Sequence, residues 1–295
     1  MSHQPSEIHS RPWRRTRGLL CLFGLAAGLF QGAHGQAVRG NHVLDLDGKG
    51  SYVELPSNVF NDLTEATVEG WVKWRSLPRY SRFFDFGNIW RCIEVCQEKD
   101  TNTLYLTLGR PPFTQGSELK LSAPNLIKPG AWCHVALTMG NQGVKLYFNG
   151  TAVASSAEKI CFSTVGNGDH NYLGRSNWYM APYKDADLDG ELDDVRVWRT
   201  QRSDAQIRDN MSTELTGTED GLVSLWKFED GANGVVTDSG PGGHHGKSMG
   251  NARLVPEALP AAVASPASLK NLPLPSILIC TSALLKQEVK SMLVN

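Results

Sequence analysis

The sequence is poor in the features that most quickly assign a function. Its 295 residues carry 29 Lys and Arg against 30 Asp and Glu, a net charge of −1. There is thus no basic surplus of the kind that marks a nucleic-acid partner. No apolar run reaches the roughly 20 residues of a transmembrane helix. A Walker loop and His-Glu-x-x-His are missing, which removes the best-marked nucleotide and zinc-protease signatures. Asp85-Phe86-Gly87 stands without the glycine-rich and His-Arg-Asp loops of a kinase, and reads as a strand running into a turn. Helix signals are scarce. The best is Ser203 followed by Gln206, a capping box that opens one short helix to about Met211.

What the sequence does have is glycine (29 residues), tryptophan (8) and short apolar runs with period-two alternation. Val68, Gly70, Val72 and Trp74 share one face of a strand, with Thr67, Glu69 and Lys73 mainly on the other. Leu104, Leu106 and Leu108 repeat the pattern, as do Cys133, Val135, Leu137 and Met139. Val144, Leu146 and Phe148 lead into Asn149-Gly150, a type I′ hairpin signal that returns through Thr151-Ala152-Val153. Further runs cover Asp194 to Trp198 and Leu222 to Phe228. Many short strands with one helix predict an all-β, antiparallel two-sheet sandwich.

The two ends differ from this middle. Arg11, Arg14, Arg15 and Arg17 precede an apolar run from Leu19 to Phe30, and Ala33-His34-Gly35 offers small residues at a cleavage position before Gln36. Residues 1–35 are therefore expected to be a signal peptide, with an uncleaved anchor as the alternative, and the protein to be secreted, periplasmic or at the cell surface. From Pro256, prolines recur among Ala, Ser and Leu, so 256–295 is expected to be a linker and an undefined tail. The module between, 40–255, carries 21 Lys and Arg against 27 Asp and Glu, a net charge of −6. That suits an exported domain and disfavours anionic membranes.

Six segments in order carry a resemblance: LDLDGKGSYVELP (44–56), ATVEGWVKW (66–74), WCHVALT (132–138), VKLYFNGTAVAS (144–155), YLGRSNW (172–178) and DGELDDVRVWRTQRSDAQI (189–207). Together they resemble the laminin G-like jelly-roll domain of the concanavalin A-like lectin/glucanase superfamily. The resemblance implies the jelly-roll form of the sandwich; the fold hosts lectins, adhesion modules and glycosidases alike, so it does not choose among them. LWKFEDGANGVVTDSGPGGHHG (225–246) is similar to a motif that often opens such domains, and its place here implies a closing strand or the start of a further unit. His244 and His245 within it cannot share a strand face, and are read as a turn rather than a metal site.

Asp185, Asp187, Asp189 and Gly190 match the first half of an Asp-rich calcium loop, but Arg196 stands where the closing Glu would be, so an EF-hand is rejected. Two readings stay open: a solvated acidic turn, or a structural calcium held by Asp187, Asp189 and Asp193, which the resemblance also allows. Counting back by twos from Val197 and Val195 places Asp193 and Glu191 on the valine face, unless a bulge near Gly190 switches the faces. Laminarinase-type enzymes of this superfamily carry Glu-x-Asp and a second Glu on one strand. Glu191-Leu192-Asp193 begins that pattern, and Val195-Arg196 breaks it, so no catalysis is expected there.

Cys21 and Cys280 lie in the two ends, leaving Cys92, Cys96, Cys133 and Cys161. Export predicts one or two disulfides among these four. Cys92 and Cys96 are too far apart along one strand to bridge each other, so Cys133–Cys161 is favoured, with cross-links from Cys92 or Cys96. Arg175, Asn177, Trp178 and Tyr179, with Tyr183, form the aromatic and polar set expected to hold a sugar, and Trp90-Arg91 a second; packing of Trp178 as a structural plug is the alternative. Asn149-Gly150-Thr151 and Asn210-Met211-Ser212 fit the glycosylation sequon. The function expected is an exported, non-catalytic module recognising carbohydrate or an extracellular protein. The alternative is a structural or sensory ectodomain, and a divergent glycoside hydrolase is the third reading.

Overall fold

Alternating side chains commit most of the chain to strands, and in the computed structural model, which describes residues 41–259 apart from 167, 181 and 232, these strands form two antiparallel sheets. In the first, β10 (Thr151–Ser156), β9 (Val144–Phe148), β8 (Cys133–Met139), β3 (Ala66–Trp74), β12 (Asp189–Trp198), β1 (His42–Asp47) and β16 (Arg253–Pro256) lie side by side, and β13 (Leu222–Trp226) pairs with β12 beyond the end of β1. In the second the order is β14 (Val235–Val236), β15 (Gly246–Met249), β2 (Tyr52–Leu55), β11 (His170–Leu173), β4 (Arg82–Asn88), β5 (Arg91–Gln97), β6 (Leu104–Leu108) and β7 (Leu119–Ala123). One core fills the space between them, with Val68, Val72, Leu137 and Leu192 from the first sheet meeting Phe84, Phe86, Ile93 and Leu106 from the second. Gly70 takes its place in this series because a Cβ there would come within 3.0 Å of Phe83 and of the Val195 backbone.

The Asn149-Gly150 turn is left-handed at both residues, φ 47° and 77°, and joins β9 to β10 as the sequence predicts. Ser203 and Gln206 cap each other reciprocally at the start of α2 (Asp204–Asn210). The expectation of a single helix needs a correction, since a four-residue α1 (Phe162–Val165) is present as well. It carries no apolar periodicity to read, and the side chains it buries are Phe162 and Val165.

The segment after β12 closes both sheets. β13 joins the first and β14–β15 the second, with Asp238 at the turn between, accepting backbone N–H groups of Leu225, Gly240 and His244 at 2.7, 2.8 and 2.8 Å. His244 meets Ser224 Oγ at 2.8 Å and His245 accepts the Asp238 N–H at 3.1 Å, so both imidazoles hold this turn together. The folded unit also runs past the boundary expected at 255. Pro256 ends β16, the Glu257 N–H donates to Asn41 O at 3.0 Å, and Asn41 Nδ2 donates back to Glu257 O at 2.8 Å.

The expected disulfides are absent: Cys92, Cys96, Cys133 and Cys161 are all free and buried. Cys92 and Cys96 sit along the extended β5. Cys133 faces the core with its thiol on Val72 O at 3.4 Å, and Cys161 is spent as the N-cap residue of α1. Burial pushes the Cys133 thiol well up, and holds Cys161 up at about 12, so the reactive thiolate is suppressed. Alkylation without reductant should therefore modify none of these four in the folded protein and all four in denaturant, read as peptide masses. A disulfide-linked peptide pair from Cys133 and Cys161 would contradict the packing.

Candidate functional site

The outer face of the second sheet is where charge and aromatic groups collect. Strand register places Asp85, Glu94, Thr107 and Lys120 in one row across β4, β5, β6 and β7. Period-two alternation turns all four away from the core, yet Asp85 is fully buried and Glu94 is 3% exposed. The cover is the connection from β11 to β12. Its course is fixed by backbone bonds, Leu188 N–H to Gly174 O at 2.8 Å and Ala186 N–H to Arg79 O at 2.9 Å, and by Asn177, whose N–H and Nδ2 donate to the two Asp85 oxygens at 2.8 and 2.9 Å.

Arg82 lies at the centre. Its guanidinium reaches Asp185 at 2.9 Å, Glu94 at 3.2 Å and Asp85 at 3.6 Å. Burial, and then the nearby Glu94 charge, raise the Asp85 carboxyl well above the usual range against the opposing pull of Arg82. Burial raises Asp185 too, again opposed by Arg82. A guanidinium with three carboxyls around it is a locked electrostatic knot, and it forms part of the floor of a cleft of about 220 Å³.

Aromatic rings wall this cleft. Trp178 stands edge-to-face with Trp90 at 4.5 Å and with Tyr183 at 4.6 Å, while Tyr80 and Tyr105 face each other at 6.2 Å on another part of the lining. Trp90 occupies the β4–β5 turn with a left-handed φ of 69°, a conformation that costs a non-glycine residue of order 1 kcal/mol. Its ring packing against Trp178 offsets that strain.

The structure divides the residues expected to bind a sugar. Trp178, Tyr183 and Trp90 line the cleft. Asn177 is consumed beneath it by Asp85. Arg175 is turned elsewhere, with its guanidinium 4.2 Å from the Tyr52 ring and 4.2 Å from the Tyr179 ring, so Arg175 and Tyr179 form a separate surface cluster. Arg91 stacks on Phe113 at 4.0 Å and donates to Val165 O at 3.0 Å, which anchors α1. Sequence reasoning missed Arg79, Tyr80, Arg82, Glu94, Tyr105 and Thr107. The only local trace in the sequence is a charged residue between core positions, Asp85 between Phe84 and Phe86 and Glu94 between Ile93 and Val95.

The three aspartates expected to meet at a calcium ion are spread apart. Asp187 accepts the Gly50 N–H at 2.9 Å, Asp189 accepts Ser76 Oγ at 2.6 Å and Asp193 accepts Asn41 Nδ2 at 2.8 Å. Asp189 and Asp193 are four residues apart on one strand, about 13 Å, whereas ligands of one calcium lie within about 2.6 Å of it. Among the described residues, no group of three or more His, Cys, Asp and Glu side chains is placed to hold a metal ion.

The placement of Glu191 and Asp193 on the valine face needs a correction: β12 does switch faces, but at Asp194 and not near Gly190. Asp193 pairs with Trp71 and Arg196 with Glu69, so β12 carries one extra residue, and Asp194 absorbs it at a φ of 46°. Leu192, Val195 and Val197 consequently all face the core, while Glu191 and Asp193 turn to the other face of that sheet. There Glu191 is ion-paired with Lys73 and lies 3.7 Å from Arg75; neither Glu191 nor Asp193 lines the aromatic cleft.

No curated protein matches the chain. Among solved structures, a candidate carbohydrate-binding protein of Bacteroides ovatus superposes with a TM-score of 0.55 at 18% identity, covering 76% of this chain and 61% of that one. The present chain thus spans about three fifths of that protein's length. A carbohydrate-binding module of a Ruminococcus gnavus sialidase gives 0.45 at 16% identity over 58% of this chain and 97% of that one. A pentraxin of Limulus polyphemus gives 0.40 at 18% identity over 60% and 78%. A family profile, Laminin_G_3, matches residues 47–208, more than half of the sequence, and the chain belongs to this family of the concanavalin A-like lectin/glucanase superfamily.

Proposed function

We propose that the protein is a non-catalytic carbohydrate-recognition module working outside the cytoplasm, with the aromatic cleft on the second sheet as its binding site. The observation that carries this reading is the pairing of indole and phenol rings with a charged, hydrogen-bonding floor in one opening. Sugar rings present C–H faces that stack on aromatic rings and hydroxyls that need polar partners. The Bacteroides ovatus protein, whose fold is shared, is named for carbohydrate binding, and the leader expected in residues 1–35 supplies the setting.

The carboxyls argue against hydrolysis at this site. A glycosidase needs two of them flanking the scissile bond, free to give a proton and to attack or to activate water. Asp85 is fully buried with both oxygens on Asn177. Asp185 is committed to Arg82 and Ser176, and Glu94 lies against the same guanidinium.

Titration calorimetry against a glycan panel tests the site. Trp178→Ala should weaken binding by about 10-fold or more, a loss of at least 1.4 kcal/mol, with circular dichroism confirming the fold. Unchanged affinity in a folded Trp178→Ala variant would remove the cleft from consideration.

A further inference from the structure

The cleft's charges cancel internally. Its cations are Arg79, Arg82 and Lys120 and its anions are Glu94, Glu118 and Asp185. Each cation already faces a carboxylate: Arg79 faces Asp185 at 3.8 Å, Arg82 faces Asp185 and Glu94 at 2.9 and 3.2 Å, and Lys120 faces Glu118 at 3.5 Å. An acidic sugar would therefore meet no uncommitted cation, and would bring its carboxylate toward Glu94 and Asp185.

The same cleft holds buried polar atoms without hydrogen-bond partners, and they are of both kinds. Trp178 Nε1 is a donor with no partner; Arg82 Nε, also a donor, lies 3.6 Å from Asp85 Oδ2, and the acceptor Glu94 Oε2 lies 3.2 Å from an Arg82 Nη, each held in an ion pair but outside hydrogen-bond geometry. Trp178 is only 8% exposed and Arg82 2%, so these groups gain little from bulk water, and an unmet buried polar group costs about 1–3 kcal/mol. A carboxylate can only accept and an ammonium can only donate. A hydroxyl does both. The volume also limits the ligand, because about 220 Å³ lies below the roughly 300 Å³ at which ligand pockets usually begin.

We infer that the cleft receives the terminal residue of a neutral saccharide, whose hydroxyls accept from Trp178 Nε1 and Arg82 Nε and donate to Glu94 Oε2 while its ring stacks on the aromatic wall. This rests on the carbohydrate reading above and narrows it to uncharged chain ends. The ring faces supply apolar contact, and the mixed donor and acceptor floor supplies the selection.

The test is calorimetry on the full chain with lactose, maltose, cellobiose and xylobiose as neutral probes and sialyllactose and glucuronic acid as acidic ones. At least one neutral probe should bind about 10-fold or more tighter than either acidic probe. Its affinity should change less than about twofold between roughly 0.05 and 0.5 M salt, because no ligand charge is being screened. Glu94→Gln should weaken a neutral ligand about 10-fold by replacing a charged acceptor with a neutral one. Should that variant fail to fold, the salt series on the unmodified protein still decides. Tighter binding of sialyllactose or glucuronic acid, or a gain in affinity with Glu94→Gln, overturns the inference and leaves the carbohydrate reading standing. Absence of binding to every probe, together with a blank on a broad glycan array, overturns both.

Discussion

Replacing Arg82 with methionine is expected to cost the domain about 3–5 kcal/mol at neutral pH, the range found when one partner of a buried ion pair is deleted. Arg82 is 2% exposed and is the guanidinium shared by Asp85, Glu94 and Asp185. Methionine can fill much of the side-chain path, so the loss is electrostatic more than steric. The pH dependence identifies the cause. Without the guanidinium, carboxyls already raised by burial are raised further above their unfolded value of 3.8. A raised folded value leaves stability intact below the unfolded one and removes it as pH rises. The penalty should thus be largest near pH 7 and shrink toward pH 4, as measured by urea unfolding at both. Adding Glu94→Gln should recover part of it, because the two sites share partners. A loss below about 1 kcal/mol at pH 7 would mean that water or backbone motion rescues the carboxyls, and the locked knot would be the wrong description.

That knot also shows where the sequence stops being readable. Local rules carried the strands, the Asn149-Gly150 hairpin and the Ser203 cap, since each depends on neighbours within a few residues. They carried Trp178, Tyr183 and Trp90 into the set of candidate ring contacts for the same reason. The row Asp85, Glu94, Thr107 and Lys120 joins four strands whose alignment is a property of the sheet. On any one strand, a charged residue opposite the core face reads as solvated. The cover from the 174–188 connection reverses that reading, and nothing within β4 or β5 encodes it. The cysteines fail differently. Compartment and even number predicted bridges, but Cys133 and Cys161 serve instead as small apolar residues in the core. In β12, a single extra residue at Asp194 decides which side chains reach the core, and one left-handed Asp gives no periodic signal of its own.

Replacing Asp193 with asparagine is expected to stabilise the protein, and increasingly so as pH rises. Asp193 is 1% exposed, and burial, with the Asp194 and Glu229 charges adding to it, raises its carboxyl from 3.8 to about 8. The sign follows from linkage: the unfolded chain ionises above about 3.8 while the folded one resists until about 8, so this group's contribution is intact below the lower value and is lost progressively up to the higher one. Each pH unit in that window is worth about 1.4 kcal/mol at most, and relaxation around the site reduces the total to a few kcal/mol. Asparagine removes the ionisation while keeping an oxygen for the Asp194 N–H, now 2.7 Å from Asp193 Oδ1. Its amide must then settle with Asn41, which donates to the other oxygen at 2.8 Å, and this rearrangement returns part of the gain. Thermal unfolding of both proteins should coincide near pH 4 and separate by several degrees near pH 8, with the variant higher. The opposite order at pH 8, reversed by a chelator, would show that the Asp193 charge is in use by a cation, even though Asp187, Asp189 and Asp193 do not converge on one point.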